Sequence, residues 1–458
     1  MKVNSTFKLE KINHRYFAFD GGTGNIFEIS EILYEILLNR NEKLTEKFTV
    51  EEIENAEKGL LVAMNNGILS EQNLLLRTYQ KIGGKNVHSL NTLFLNVAQK
   101  CNLKCSYCFG KGGSYGLQQE MMSIDTARRC VDYWLKNIEE KKQNIVVSFF
   151  GGEPLLNLEV IEFVVQYINS KKQSINGNVK YMITTNGTIL NNSIIEMFIK
   201  NDFLVSVSLD GISKIHNKNR AFASGKGSMD LVAKNTKKLL AHISNLNCQI
   251  TLRREDIPFL EEAVTALWEM GVDKVYSNIV FDKNEIYQEK DYKELKFQTE
   301  ILSDLMYQHL ISGSKNIYGN IFDYMQNLHT RNYAINCFVW KEKIAAFASN
   351  GDAYSCYRLV GENDFLLGNV RQHDFTVFSK PFEKQKVAQC QNCYCQLYCG
   401  EGCPCENLVY NSDINIPAEE WCEKNKILFD ISLRLYLKIK VNEPDLFRKL
   451  CKYWEENR

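Results

Sequence analysis

LFLNVAQKCNLKCSYC, residues 93–108, runs from a short apolar stretch straight into three cysteines. LFLNVA (93–98) reads as a buried strand, and the thiols that follow are spaced CxxxCxxC. Iron–sulfur cubes normally take four cysteine thiolates. Structural zinc also prefers a closed set of four ligands, often built from CxxC pairs. Cys101, Cys105 and Cys108 supply three, with no fourth cysteine or histidine close by in sequence. The triplet fits zinc poorly and suits a group that keeps one bond for something other than protein.

Outward from this stretch the pattern alternates. Strand candidates continue with IVVSFF (145–150), VKYMIT (179–184), FLVSVSL (203–209), CQITL (248–252) and KVYSNIV (274–280). Amphipathic helical stretches such as SIDTARRCVDYWLKNI and PFLEEAVTALWEM separate them. Regular βα alternation predicts a parallel sheet with helices outside. Six units are too few for a closed eight-stranded barrel, so the expected fold is α/β, a partial (β/α)6 barrel. Chemistry in such folds sits at the C-terminal strand ends. CNLKCSYC and the GGEP of residues 151–154 both lie there.

The chain has 458 residues, 45% hydrophobic and 24% charged, the profile of a globular protein of several domains. Lysine plus arginine equals aspartate plus glutamate at 55 each, so no overall field favours nucleic acid or an anionic membrane. The polar start MKVNSTFKLEK carries no secretory h-region, and no apolar run approaches the roughly 18 residues of a membrane span. The expectation is a cytoplasmic protein without nucleic-acid or membrane partners. Fifteen cysteines are many for a reducing compartment, where clustered thiols point to metal rather than disulfides. Cys130, Cys248 and Cys451 stand apart from the rest and read as packing residues.

The CxxxCxxC triplet, with Tyr107 at the customary aromatic position, resembles the signature of the radical S-adenosylmethionine (radical SAM) enzymes. The resemblance implies a [4Fe–4S] cluster on Cys101, Cys105 and Cys108, whose fourth iron binds S-adenosylmethionine. Reductive cleavage of that cofactor then yields a 5′-deoxyadenosyl radical that abstracts a hydrogen atom. Gly151, Gly152, Glu153 and Pro154 match the family's GGEP motif, where glycines let backbone approach a ligand. TTNG (184–187), containing Thr185 and Asn186, and SLDG (208–211) follow in the family's order. Ser208 and Asp210 become candidates for ribose or carboxylate contacts, and Arg220 for a carboxylate partner. Asn217 stands where the family often has aspartate.

A second resemblance covers the cysteine-rich segment. Cys337 is followed by thirteen residues, Gly351, four residues and Cys356; Cys390, Cys393, Cys399, Cys403 and Cys422 come later. This matches the SPASM extension of radical SAM enzymes. It implies two auxiliary [4Fe–4S] clusters, one on Cys337, Cys356 and Cys403 and one on Cys390, Cys393, Cys399 and Cys422. The first set then keeps an open iron, unless Cys395 or Cys405 fills it. Two zinc tetrads are the competing reading of this segment.

At the N-terminus, YFAFDGGTGNIFEIS reads as a hairpin followed by helices in SEILYEILLNR and TVEEIENAEKGLLVAMNNGIL. The DGGTGN loop lacks the Lys-Ser/Thr and helix of a phosphate cradle. The region resembles the winged-helix-like peptide-recognition element of maturases of ribosomally made peptides. There a leader peptide adds a strand to the sheet edge. The expected domains are 1–85 for peptide recognition, 86–320 for the partial barrel, 321–430 for the SPASM segment and 431–458 for a C-terminal helix. Together the resemblances imply a thioether-forming maturase of the sactipeptide or ranthipeptide type, acting on a precursor peptide. A reductase, flavodoxin or ferredoxin would donate the electron. Carbon–carbon crosslinking, epimerisation or side-chain oxidation is one alternative. A non-catalytic zinc or electron-transfer scaffold that binds peptide is another.

Overall fold

In the computed structural model, the six alternating strands lie side by side in chain order as a parallel sheet. The structure describes residues 6–38, 41–66, 68–69, 91–136, 145–171, 175, 177–333, 337, 339, 346–372 and 387–456. Three N-terminal strands come first: β1 (Phe7–Ile12), β2 (Arg15–Asp20) and β3 (Asn25–Ile29). The parallel strands are β4 (Asn91–Ala98), β5 (Ile145–Gly151), β6 (Val179–Thr185), β7 (Leu204–Ser208), β8 (Leu246–Leu252) and β9 (Lys274–Ile279). Side chains alternate across a strand. Leu93, Leu95, Val97, Val147, Phe149, Val205, Val207 and Ile250 are sealed from solvent in the apolar core. The intervening positions are often polar: Asn96, Ser148, Ser206 and Asn247 line the other face, all buried. One face is therefore fit to take helices and the other a polar ligand.

The covering helices bury stripes at helical spacing. Helix Ile124–Lys136 turns in Ala127, Cys130, Val131 and Trp134. Cys130 and Cys248 are core packing residues, fully buried in it.

The sheet extends beyond the six strands to ten. β10 (Ile317–Tyr318) continues it past β9. On the other side, β11 (Ala346–Phe347) pairs in parallel with β4, then β12 (Asp352–Tyr354) and β13 (Gly368–Asn369) follow antiparallel. The cysteine-rich segment is thereby stitched to the strand that leads into the first cysteines.

The N-terminal hairpin is present, with β2 paired to β1 and to β3. In its loop, Asp20 accepts from Gly22 N at 2.8 Å and from Thr23 Oγ1 at 2.8 Å, which makes it a self-bonded turn. The loop docks on protein: a Cβ on Gly21 would meet Tyr394 Cα at 2.4 Å. Phe19 packs its ring on Tyr398 and Phe429. Helix Glu419–Asn442 runs unbroken across position 430 and ties the parts together. Its Asp430 pairs with Lys8 and its Arg434 with Glu10 (3.1 Å). The boundary expected at residue 85 lies outside the described residues. Among the described residues no helix is long and apolar enough to cross a membrane.

Candidate active site

β4 ends at Ala98, and the next turns carry Cys101, Cys105 and Cys108, all half-buried. The loop is held from two sides. From one side, Lys104 N donates to Ala221 O (2.8 Å) and Ser106 N to Asn219 O (2.9 Å). From the other, Gly152 N donates to Ala98 O (2.8 Å) and Glu153 N to Lys100 O (3.0 Å). Gly151 has φ +132°, and a Cβ there would sit 2.4 Å from Ala98 O. Any side chain would push the GGEP turn off the cysteine loop. The close approach expected of these glycines is thus to neighbouring backbone.

Hydrogen bonds are donated to each of the three sulfurs. Cys101 Sγ accepts from Leu103 N (3.4 Å) and Asn186 Nδ2 (3.7 Å), and Cys108 Sγ from Gly112 N (3.4 Å). Arg220 reaches the Cys105 sulfur. Burial opposes ionisation, pushing the Cys101 thiol up to about 11 and raising Cys105 as well. These thiols become thiolates only with compensation such as a bound metal group provides.

Glu153 is sealed from solvent, with three donors directed at its carboxylate. Its Oε1 accepts from Thr185 Oγ1 (2.8 Å) and Leu155 N (3.0 Å), its Oε2 from Asn186 N (2.7 Å). Pro154 opens the short 3-10 turn that follows. This carboxylate ties the β5 and β6 ends together. Burial nevertheless raises its pKa from 4.5 to about 7, against those three bonds. A raised carboxyl pKa means that the folded chain holds the proton more tightly than the unfolded chain. The stability this contributes is full below about pH 4.5 and is lost as pH rises through about 7. Thermal unfolding of cluster-free protein across that range should show the loss. Glu153→Gln should flatten the pH dependence and lower stability throughout, since an amide nitrogen would face a donor.

Asp210 accepts three hydrogen bonds within the protein. Tyr107 Oη donates to Oδ2 at 2.6 Å, Arg220 Nε to Oδ2 at 2.9 Å and Thr251 N to Oδ1 at 2.9 Å. The Arg220 guanidinium lies 5.2 Å from the Tyr107 ring centroid, which places its charge beside the cysteine loop. His216 is buried behind them, its pKa lowered to about 4 by desolvation, and so is neutral. Its Nδ1 accepts from Asp210 N (3.2 Å). Ser228 Oγ donates its proton to Arg220 O (2.6 Å), so His216 Nε2–H donates to Ser228. Asn217 caps backbone at Met229 N (2.9 Å). Ser208 stands half-buried at the end of β7. Asn102, Thr188, Asn219, Thr251 and Asp256 join the network without any motif to announce them.

The cysteine-rich segment forms two groups. Cys390, Cys393, Cys399 and Cys422 lie within electrostatic reach of one another. Cys337, Cys356, Cys403 and Cys405 pack into one apolar cluster. Arg358, ion-paired with buried Glu406, lies between this cluster and Phe109, 4.9 Å from that ring. Among the described residues no three His, Cys, Asp or Glu side chains form a ready-made site for a metal ion. The donor chemistry at β4 fits an iron–sulfur group with a polar cofactor: three sulfurs receive hydrogen bonds. Nearby Asn96 is fully buried on the polar sheet face, with neither amide atom bonded. Such a group is costly unless something meets it.

Comparison with known proteins agrees. Residues 95–255 match the Radical SAM superfamily. The chain is 25% identical over 387 residues to a cysteine-type anaerobic sulfatase-maturating enzyme of Clostridium novyi, covering 75% of this chain and 95% of that one. The solved structure of anSMEcpe with bound AdoMet and a Cp18Cys peptide is similar at TM-score 0.63 and 21% identity, over 77% of this chain and 99% of that one. Streptococcus suis SuiB bound to precursor peptide SuiA is similar at TM-score 0.52 and 17% identity, over 92% and 99%. The α/β fold, with a match to the Radical SAM superfamily over residues 95–255, is thereby shown.

Proposed function

We propose that this chain, whose residues 95–255 carry a radical SAM domain, is a peptide maturase that joins a peptide cysteine sulfur to a carbon of another residue. The observation that carries the reading is the set of three thiols just past the end of β4, each with a hydrogen-bond donor at its sulfur. In it, Cys101, Cys105 and Cys108 hold a [4Fe–4S] cluster. Bound there with S-adenosylmethionine, the cluster supplies an oxidant strong enough to take a hydrogen atom from carbon. Each neighbouring side chain has a definable task. Asn186 and Arg220 support the thiolates, the Tyr107–Asp210–Arg220 group fixes the loop, and Glu153 holds two strand ends in register.

Three features support a peptide substrate. The N-terminal sheet ends in β3, an edge strand to which an extended leader can add. Homologues of matching length are named for acting on a protein, and SuiB was solved with its precursor peptide. Cys337, Cys356 and Cys403 supply three matched ligands for one auxiliary cluster, leaving a place for a substrate sulfur. Cys390, Cys393, Cys399 and Cys422 hold the other.

Anaerobically reconstituted protein, given the precursor peptide encoded beside its gene, should release deoxyadenosine. The peptide should become two hydrogens lighter and lose one alkylatable thiol. A product that keeps all its thiols excludes the thioether and leaves carbon–carbon crosslinking or epimerisation. Side-chain oxidation is the second reading, favoured by the likeness to the sulfatase-maturating enzyme across 95% of its length. Its product fragments as a linear chain in tandem mass spectrometry, whereas a crosslinked loop resists fragmentation.

A further inference from the structure

Two cysteines of the cysteine-rich segment fall outside the seven matched positions, and both stand two residues after a matched one: Cys393-Tyr394-Cys395 and Cys403-Pro404-Cys405. Both are buried, at 3% and 5% exposure. Each is wedged between two matched cysteines. Cys395 Sγ lies 3.5 Å from Cys393 Sγ and also hydrogen-bonds Cys399. Cys405 Sγ lies 3.7 Å from Cys356 Sγ and also hydrogen-bonds Cys403. Burial alone does not produce this. Cys130 and Cys248 are equally buried among apolar side chains, and Cys451 lies against His329 at 3.5 Å.

We propose that Cys395 and Cys405 are positioning residues, thiols seated between two ligand sulfurs whose single S–H proton hydrogen-bonds to them, one such thiol for each auxiliary cluster. The inference rests on the auxiliary clusters of the preceding reading. Two ligands of one cube bind different irons and are held apart by it. A sulfur that touches two of them is at hydrogen-bond spacing. The second group already has four matched ligands without Cys395, so Cys395 is a fifth sulfur, and the repeated CxC step gives Cys405 the same place in the first group. A thiol is a weak donor, yet hydrogen bonds to cluster sulfurs are among the factors that set reduction potential. They favour the reduced state, which carries more negative charge on sulfur.

The test is an EPR-monitored redox titration of reconstituted protein, in a Cys101→Ala, Cys105→Ala, Cys108→Ala background that leaves only auxiliary signals. Cys395→Ala and Cys405→Ala should each retain iron and move one auxiliary midpoint to more negative potential, a different one in each variant. Serine at the same positions restores a donor and should return most of the shift. Cys451→Ala should move neither midpoint. Loss of iron in an alanine variant would show that the residue is a ligand and overturn the proposal. Unchanged iron with unchanged potentials overturns it equally. Iron is counted in the background protein first. None there would sink the auxiliary clusters, and this proposal with them, a result distinct from a missing shift.

Discussion

Alanine at Cys101, Cys105 and Cys108 together should abolish cleavage of S-adenosylmethionine while auxiliary iron remains. In the proposed function these thiols are the protein's own bonds to the catalytic cluster, and no other cysteine stands beside them in the loop. The fold should survive, because the loop's anchors are elsewhere. Lys104 and Ser106 bond through backbone to Ala221 and Asn219, and Leu103 bridges to Phe222. The expected set of results is therefore an unchanged far-ultraviolet circular dichroism spectrum, partial iron content and no deoxyadenosine after dithionite reduction. Deoxyadenosine production at the parent rate would falsify the assignment of the catalytic cluster. Loss of all iron would instead remove the auxiliary sets.

The second large effect concerns stability. Asp210→Ala leaves the Arg220 guanidinium, 7% exposed, without its carboxylate. Breaking a buried pair from one side costs about 3–5 kcal/mol, because the remaining charge stays desolvated. Tyr107 Oη and Thr251 N lose their acceptor in the same step. Thermal or urea unfolding of the cluster-free protein measures the loss. Arg220→Met added to Asp210→Ala should recover a large part of it, since the stranded charge is gone. A single variant as stable as the parent would mean that the pair does not hold the loop. Asp210→Asn should fall between, keeping an acceptor for Thr251 while losing the ion pair.

The parallel sheet was legible because its strands and helices each repeat a period long enough to count. β11, β12 and β13 were not, since strands of two or three residues carry no period. β1 belongs to the three-stranded sheet that the resemblance implies, yet its residues do not announce it, for another reason. FKLEKI looks solvated, yet Glu10 is buried by Arg434, a partner more than four hundred residues away. The same contrast runs through the site. Cys101, Cys105, Cys108 and Glu153 could be picked out because their spacing is itself a signal. Asn102, Thr188 and Asp256 are ordinary polar residues whose meaning comes only from pairing across the fold, as when Asn219 Nδ2 meets Asp256 Oδ2 at 2.8 Å. Asp210 and Arg220 were marked as groups facing a cofactor, and the structure has them engaged with each other. A motif names its residues without naming their partners.

The seat of the N-terminal hairpin on Tyr394 couples the first residues of the chain to its cysteine-rich segment. Gly21 rests on backbone flanked by Cys393 and Cys395, and Phe19 on Tyr398 from the turn after. The same hairpin also leans on helix Glu419–Asn442 through Phe429, Asp430 and Arg434. A substitution that shifts Tyr394 or Tyr398 is therefore felt at both ends of the chain at once.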